Sequence, residues 1–271
     1  MPTYVVAGGG RGLGYALVRN LSADPGNLVV ALVRDVDRVT KLVAKDFPGR
    51  ENLHLVHGDL MSFDILKSAA EETAKITGGS VDMLIANAAM GSTVFVPISE
   101  QALRDPAAFE AEMSELFRVN VIGSTFLLSI FMPLVRASAM KKVVVLSTGM
   151  GDPDFIAETE IDSQSPYAIS KAALNMAIAK FHAEYRKQGV LIMGISPGIV
   201  DTGSMDGVEM TPEIQEGIAK MGQAAMKYAP EWKGPISPDE SVAMVLDVVG
   251  HATIENNGGK VVSHLGTKRW L

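Results

Sequence analysis

A tyrosine and a lysine four residues apart, Tyr167 and Lys171, are the side chains of this chain best suited to proton transfer. Residues at this spacing lie on one face of a helix, about one turn apart. Ser165 suits the N-cap of such a helix, and Pro166 suits its first position. A free phenol has a pKa near ~10, and a nearby cation favours the phenolate, so we expect Lys171 to lower the pKa of Tyr167. The pair predicts general acid–base chemistry, although any helix can carry this spacing by chance.

A glycine-rich segment at residues 7–14, AGGGRGLG, follows a predicted strand and opens a predicted helix. Glycines in this context permit a tight turn and let backbone N–H groups approach a pyrophosphate at the helix N-terminus. The spacing is G-x-x-x-G-x-G rather than G-x-G-x-x-G. It is therefore the strand–turn–helix context that indicates nucleotide binding.

Two arginines bear on which nucleotide binds. Arg34 ends the second predicted strand, where an Arg suits a 2′-phosphate and an acidic residue suits a ribose 2′-hydroxyl. Arg11 lies inside the glycine-rich turn, within reach of the same phosphate. The alternatives are that both arginines are solvated surface residues, or that Asp35 takes the ribose. We predict NADP(H).

Short apolar runs alternate with longer helical patterns along the chain. The predicted strands are Thr3–Ala7, Leu28–Val33, Leu53–Val56, Met83–Asn87, Val143–Ser147, Leu191–Ser196 and Lys260–His264. The predicted helices are Leu13–Ala23, Asp37–Asp46, Ser62–Ile76, Pro106–Arg136, Pro166–Lys187 and Pro238–Val249. Nearly continuous apolar strands are typical of parallel sheets covered on both faces. The pattern predicts an α/β fold, a doubly wound parallel β-sheet (Rossmann fold) in a single domain over residues 1–271.

Two segments interrupt this alternation. Residues 149–165 are predicted to form an extended polar loop, and residues 202–238 a lid-like insertion before the last helix. Both follow predicted strands, and open α/β sheets bind ligands beyond the carboxyl ends of their strands. The second segment is rich in methionine, which serves either as core filler or as an apolar substrate surface. We expect it to be a mobile lid over the substrate.

Composition excludes several classes of partner. A formal net charge of -7 argues against a nucleic-acid surface or an anionic membrane as partner. The apolar stretch Phe126–Met132 is too short to span a bilayer and precedes Pro133. The start of the chain lacks the features of a signal peptide, and a chain without cysteine suits a reducing compartment, so we expect a cytoplasmic protein.

Metal chemistry is not expected. There is no cysteine, and none of the five histidines is paired at ligand spacing with an acidic residue. His182, nearly four turns beyond Tyr167 on the same predicted helix, is expected at the surface.

Six motifs in a fixed order resemble the short-chain dehydrogenase/reductase family in its single-domain form. They are the glycine turn with Gly8, Gly12 and Gly14; Gly58-Asp59-Leu60; Asn87-Ala88-Ala89-Met90-Gly91; Val119-Asn120-Val121; Tyr167 with Lys171; and Pro197-Gly198-Ile199-Val200-Asp201-Thr202. The match runs nearly end to end, although Ala7 stands where the family usually has Thr.

The resemblance implies a set of cofactor contacts. With the arginines, the expected cofactor-binding residues are Gly8, Gly10, Arg11, Gly12, Leu13, Arg34, Asp59, Leu60, Asn87, Ala88, Asn120, Tyr167, Lys171, Pro197, Gly198, Val200 and Thr202. Asp59 is expected to hold the adenine, and the segment 197–202 the nicotinamide amide. Each polar member also has a structural alternative, as a partner of backbone groups or as a helix cap.

The resemblance also implies catalytic roles. Tyr167 is the proton donor, Lys171 stabilises its phenolate and anchors the ribose, and Asn120 holds a water that links Lys171 to solvent. The family usually carries Ser-Ser after the fifth strand, where this chain has Ser147-Thr148. Register places Thr148 on the catalytic position, where it would hydrogen-bond the carbonyl oxygen, and Ser147 is the alternative.

These expectations combine into an NADPH-dependent carbonyl reductase, or an alcohol dehydrogenase in reverse, acting on a hydrophobic small-molecule carbonyl compound. The alternatives are an isomerase, dehydratase or cyclase on the same scaffold, and a redox-inert NADP-binding sensor. Apolar helices around Asn120–Arg136 and Pro166–Lys187 favour a homodimer or homotetramer.

Overall fold

A seven-stranded parallel sheet forms the centre of the computed structural model, which describes residues 1–203 and 205–271. The strands are β1 (Thr3–Ala7), β2 (Leu28–Val33), β3 (Leu53–His57), β4 (Met83–Ala86), β5 (Lys142–Leu146), β6 (Leu191–Ser196) and β7 (Val261–Ser263). Their order in the sheet is β3-β2-β1-β4-β5-β6-β7, and each neighbouring pair is parallel. The order reverses between β1 and β4, which creates a crevice at the carboxyl ends of these strands.

Helices connect the strands. They are α1 (Gly12–Leu21), α2 (Val36–Asp46), α3 (Phe63–Thr77), α4 (Ile98–Arg104), α5 (Pro106–Phe117), α6 (Ser124–Arg136), α7 (Pro153–Thr159), α8 (Ser165–Tyr185), α9 (Pro212–Tyr228), α10 (Pro238–His251) and α11 (Ile254–Asn257).

The sheet is covered on both faces. Successive strand residues point to opposite faces, so Val5 belongs to one hydrophobic layer and Val6 to the other. Phe131 of α6 and Ile178 of α8 lie in the first layer, and Leu17 of α1 lies in the second. The predicted doubly wound parallel sheet is confirmed.

The predicted helix Pro106–Arg136 is interrupted. A π-helical turn at Arg118–Gly123 separates α5 from α6. A Cβ at Gly123 would lie 2.6 Å from the carbonyl oxygen of Leu60, so the turn packs closely on the loop after β3. The prediction missed this turn because the sequence is helical in composition on both sides. Single π turns occur frequently at functional sites.

The run Pro106–Arg136 is also long and apolar enough, by length and composition alone, to cross a membrane. However, Leu127, Leu128 and Phe131 of this run are buried in the core beside the sheet. Buried core helices of soluble proteins commonly meet the same criterion of length and composition, so it is weak evidence for a membrane span.

The predicted polar loop at 149–165 is partly helical. A 3-10 turn at Gly149–Gly151 is followed by α7, which Asp152 caps by accepting a hydrogen bond from the backbone N–H of Asp154 at 3.1 Å. Phe155 is buried on the inner face of α7. The loop interpretation is therefore wrong for this part, because the polar composition hid a short helix with one apolar face.

The segment 202–238 contains the long helix α9, which begins after the cap residue Thr211. A Cβ at Gly217 would lie 2.2 Å from the Cβ of Phe95, so α9 packs closely on the loop after β4. A backbone bridge between Val200, just before the segment, and Ile236, near its end, closes the segment at its base. Its opening and closing as a lid stay a prediction.

His182 is buried rather than exposed. A Cβ at Gly258 would lie 2.3 Å from its ring atoms. The expectation of a surface position was wrong because the α11–β7 connection, distant in sequence, folds over this side of α8.

Candidate active site

A cavity of about 880 Å³ opens at the carboxyl ends of the central strands, where the strand order reverses. The predicted site residues that line it are Gly8, Gly10, Arg11, Gly12, Leu13, Arg34, Asp59, Leu60, Asn87, Ala88, Ser147, Tyr167, Lys171, Pro197 and Thr202. Asn120, Thr148, Gly198 and Val200 lie outside this lining. The fold thus brings most of the predicted residues to one cavity from seven separate segments.

The glycine-rich turn is tightly packed against the loop after β4. A Cβ at Gly8, where φ is +79°, would lie 2.8 Å from the Cα of Ala88. A Cβ at Gly14 would lie 2.1 Å from the carbonyl oxygen of Gly8, which accepts a hydrogen bond from Asn87 Nδ2 at 3.2 Å. Within the described residues, the N-cap residue Arg11 forms no side-chain capping bond. The first N–H groups of α1 therefore remain available for a pyrophosphate.

Three arginines lie beside this turn. Arg11, Arg34 and Arg38 all line the cavity, and no carboxylate in the described part of the chain forms an ion pair with them. Arg38 Nη2 donates to the carbonyl oxygen of Gly10 at 2.9 Å. Asp35 Oδ1 accepts from the backbone N–H of Arg38 at 2.9 Å and so caps α2. Asp35, the alternative partner for the ribose, thus uses one carboxylate oxygen to cap α2.

Asp59 and Leu60 form the next part of the wall. Asp59 Oδ1 accepts from the backbone N–H of Met61 at 2.9 Å, which closes an Asx turn. Ser62, not Asp59, caps α3 through the backbone N–H of Ile65. The capping alternative for Asp59 is therefore excluded, and the residue faces the cavity.

Tyr167 and Lys171 lie on one face of α8, at the inner end of the cavity. Lys171 is 3% exposed, and its Nζ donates to the carbonyl oxygen of Leu146 at 3.0 Å and lies 5.9 Å from the centre of the Tyr167 ring. The N-cap residue of α8 is Gln164, with a left-handed φ of +53°, rather than Ser165. Ser165 Oγ instead donates to the carbonyl oxygen of Asp162 at 3.1 Å, so the predicted cap was one residue late.

Burial controls the ionisation of both groups. It raises the pKa of Tyr167 to about 12, and a hydrogen bond with Thr148 opposes this shift. It lowers the pKa of Lys171 to about 8. The predicted lowering of the Tyr167 pKa is therefore wrong for the protein on its own, because desolvation disfavours the charged form of each group.

The two candidate hydroxyls point to different partners. Ser147 Oγ donates to Asn175 Oδ1 at 2.5 Å, and Asn175 Nδ2 donates to the carbonyl oxygen of Gly151 at 3.1 Å. Thr148 is the side chain whose interaction lowers the pKa of Tyr167 against the effect of burial. Its Oγ1 accepts from the backbone N–H of Met150 at 3.2 Å. The hydroxyl next to the phenol is thus that of Thr148, whereas Ser147 ties the loop to α8.

Asn120 projects from the π turn and is completely buried. Its Oδ1 accepts from the backbone N–H of Met90 at 2.8 Å, and its Nδ2 donates to the Met90 carbonyl at 2.9 Å and to Ser170 Oγ at 3.0 Å. These bonds hold the loop after β4 against α8. The holding of a water beside Lys171 stays a prediction.

Two of the predicted residues in the segment after β6 reach the cavity. Pro197 and Thr202 line the cavity, and the Cβ of Thr202 lies 3.3 Å from where a Cβ of Gly12 would be. Gly198 has a φ of +83° and packs against the ring of His264. Val200 forms the bridge to Ile236 and packs on the core, so its side chain is used for structure.

Sequence reasoning missed several residues of the lining, among them Arg38, Ser92, Thr93, Glu115 and Met205. For Arg38 a signal existed, because it lies three residues after the cap residue Asp35, on the turn that faces the glycine segment. The others come from loops and helix faces whose position depends on tertiary packing.

Comparison with known proteins assigns the family. Residues 2–212 match the family model for short chain dehydrogenases, so the chain belongs to the short-chain dehydrogenase family. The short chain dehydrogenase virK of Hypocrea virens is 45% identical over 273 residues, with 100% of both chains covered. The short-chain dehydrogenase/reductase iacC of Pestalotiopsis fici is 42% identical over 276 residues, again with 100% of both covered. The predicted family is confirmed, and it is a family of oxidoreductases.

Solved structures share the fold. The NADPH-bound carbonyl reductase from chicken fatty liver superposes with a TM-score of 0.75 at 23% identity, with 98% of each chain covered. The carbonyl reductase Sniffer of Drosophila melanogaster superposes with a TM-score of 0.77 at 19% identity, also with 98% of each chain covered. At these low sequence identities, the structural similarity shows a shared fold and no more.

The buried lysine predicts a pH-dependent stability. Between pH 8 and 10.5 the unfolded chain still binds the lysine proton that the folded protein has released. The contribution of Lys171 to the unfolding free energy therefore rises with pH, by about 1.4 kcal/mol per unit. We expect Lys171→Met to lack this rise in urea unfolding measured across that range.

Lys180→Met is the matched control, because it removes an exposed lysine from the same helix. Its curve should run parallel to that of the wild type. A Lys171→Met curve that also ran parallel to the wild type would contradict a pKa lowered by burial.

Proposed function

We propose that this protein is an NADP(H)-dependent reductase of carbonyl groups on hydrophobic small molecules. The observation that carries the proposal is the pair of the half-buried Tyr167 and the buried Lys171, which both line the cavity, with Thr148 as the side chain that acts on the phenol. A proton donor, a cation and a second hydroxyl around one point suit the reduction of a C=O group. The carbonyl reductases with the same fold support this choice.

The cavity residues fit a dinucleotide. The open N-terminus of α1 and the glycine cradle would hold the pyrophosphate, Asp59 the adenine, and Lys171 the ribose next to the nicotinamide. Arg34 and Arg38, with Arg11, would hold a 2′-phosphate. When bound, the reduced nicotinamide supplies the hydride.

The side chains then handle the proton. Because burial raises the pKa of Tyr167, the phenol is protonated near neutral pH and serves as the donor. It gives its proton to the carbonyl oxygen as negative charge develops there, and Thr148 donates a hydrogen bond to the same oxygen. The resulting phenolate lies one helical turn from the Lys171 ammonium, which stabilises it.

The outer wall of the cavity is partly apolar, with Met90, Val119 and Met205 among its residues. This surface favours a hydrophobic carbonyl substrate. We also propose that the protein is cytoplasmic, as the absence of cysteine suggests. We further propose a homodimer or homotetramer, because α6 and α8 carry exposed apolar side chains such as Phe126, Ile169 and Met176. A surface of this kind is usually covered by a partner.

Loss of the phenol should separate chemistry from binding. We expect Tyr167→Phe to lower turnover by about 10²- to 10⁴-fold, since only the proton donor is removed. NADPH oxidation with menadione, acetophenone and benzaldehyde measures turnover, and fluorescence titration measures NADPH affinity, which should persist. Tyr185→Phe, on the same helix but outside the cavity lining, is the control and should keep full turnover.

If Tyr167→Phe kept full activity on a carbonyl compound that the wild type reduces, the mechanism would be refuted. The wild type could instead bind NADPH tightly and reduce none of this panel of three carbonyl compounds. That result would favour a redox-inert NADP-binding sensor or a non-redox chemistry.

The two hydroxyls predict unequal effects. Thr148→Val keeps the volume and removes the hydroxyl that acts on Tyr167, so turnover should fall by about 10²- to 10³-fold. Ser147→Ala removes the bond to Asn175 and should mainly reduce stability, by about 1 kcal/mol. Steady-state kinetics and urea unfolding of both variants decide between them, and the reverse order of turnover losses would move the catalytic role to Ser147.

Cofactor choice should depend on Arg34 and Arg38. We expect NADPH to bind more tightly than NADH, and each Arg→Ala variant to weaken NADPH binding by about 1.5–3 kcal/mol while changing NADH binding little. Titration of both cofactors measures this, and Arg186→Ala, at the far end of α8, controls for loss of charge. Equal affinities, or tighter NADH binding, would assign the ribose to Asp35.

A further inference from the structure

The segment Gly266–Leu271, here called the C-terminal strap, crosses the loop that carries Thr148. Its residue Trp270 is 3% exposed. The strap thus buries a large aromatic side chain beside the candidate catalytic hydroxyl, although the two are more than 120 positions apart in the sequence.

The indole lies directly on Gly149, the residue after Thr148. A Cβ at Gly149 would lie 2.7 Å from Cγ, 2.9 Å from Cδ2 and 3.0 Å from Cβ of Trp270. Gly149 is not among the glycines with positive φ in the described chain. Its lack of a side chain is therefore required by the contact with Trp270 and not by its backbone conformation.

A polar contact supports the same arrangement. Lys268 Nζ lies 2.5 Å from Asp152 Oδ2 and 5.2 Å from the centre of the Trp270 ring. Asp152 caps α7 with its other oxygen. The strap therefore holds both ends of the 3-10 turn, Gly149 by packing and Asp152 by charge.

An aromatic cluster extends the contact to α9. The Phe155 ring lies 6.5 Å from Trp270 and 5.0 Å from Tyr228, both edge to face. The backbone N–H of Trp270 donates to the Tyr228 hydroxyl at 3.3 Å. Trp270 thus joins the Thr148 loop, α7 and the end of the predicted lid helix.

We propose that Trp270 is a positioning residue, which fixes the Thr148–Asp152 turn so that the Thr148 hydroxyl faces Tyr167. It acts through Gly149 and is not among the residues that line the cavity. The inference rests on the catalytic role proposed for Thr148.

The first test separates positioning from general stability. In Trp270→Ala we expect kcat on the most rapidly reduced carbonyl of the panel to fall by about 10- to 100-fold, because small misplacements of a catalytic group have effects of this size. The Kd for NADPH should be unchanged, and Trp270→Phe should restore most of the kcat. Phe47→Ala removes a buried aromatic residue at the end of α2 and should keep the kcat of the folded fraction.

The second test uses the Gly149 contact. Gly149→Ala should lower kcat in the wild type, where the new methyl meets the indole, and have little further effect in Trp270→Ala. Hydrogen exchange should accelerate at the amides of Met150 and Asp152 in Trp270→Ala, a readout that needs no substrate.

Three results would each overturn the inference. They are additive losses of kcat when Gly149→Ala and Trp270→Ala are combined, an unchanged kcat in folded Trp270→Ala, and unchanged hydrogen exchange of the Met150 and Asp152 amides. If Trp270→Ala does not fold, Gly149→Ala tests the same contact by itself, and a kcat equal to that of the wild type would overturn the inference. An active Tyr167→Phe would defeat the proposed function itself, whereas an inactive Tyr167→Phe beside a fully active Trp270→Ala would defeat only this inference.

Discussion

The burial of an ammonium group without a carboxylate partner is the constraint on which the rest of this site depends. Within the described residues, Lys171 forms no ion pair, and its Nζ donates to the carbonyl oxygen of Leu146. Desolvating a charge is costly, so such a group persists only where the surrounding structure is well packed. Here β5 supplies the carbonyl and α8 supplies the lysine, and the contact between these elements fixes where the phenol of Tyr167 lies.

Asparagine amides hold the loops around this centre. Asn87 bonds the glycine turn, Asn120 bonds Met90 and Ser170, and Asn175 bonds Ser147 and Gly151. An amide can both donate and accept, so one side chain can satisfy backbone groups of a loop and a second element at once. The functional and structural interpretations of these residues are therefore not exclusive, since a rigid loop is what presents the catalytic groups.

The Thr148 turn is organised differently from the glycine turn. The glycine turn approaches β4 so closely that Gly8 and Gly14 leave no space for a side chain. In contrast, the Thr148 turn is covered by α7, α9 and the C-terminal strap, whose contacts are aromatic and ionic. These elements come late in the chain or from irregular segments, so this half of the site depends on long-range packing.

The sequence by itself determined the parallel sheet, the order of its elements and most of the cofactor cavity, because apolar periodicity and glycine turns act over short distances. It also placed Tyr167 and Lys171 on one helix face, since the four-residue spacing is a property of the helix. Only the tertiary structure decided the ionisation of this pair, because burial is set by contacts from β5 and the Thr148 turn. It likewise decided that Thr148 acts on the phenol, that Arg38 lines the cavity beside Arg11 and Arg34, and that Trp270 lies on Gly149. Each of these contacts depends on residues distant in the chain.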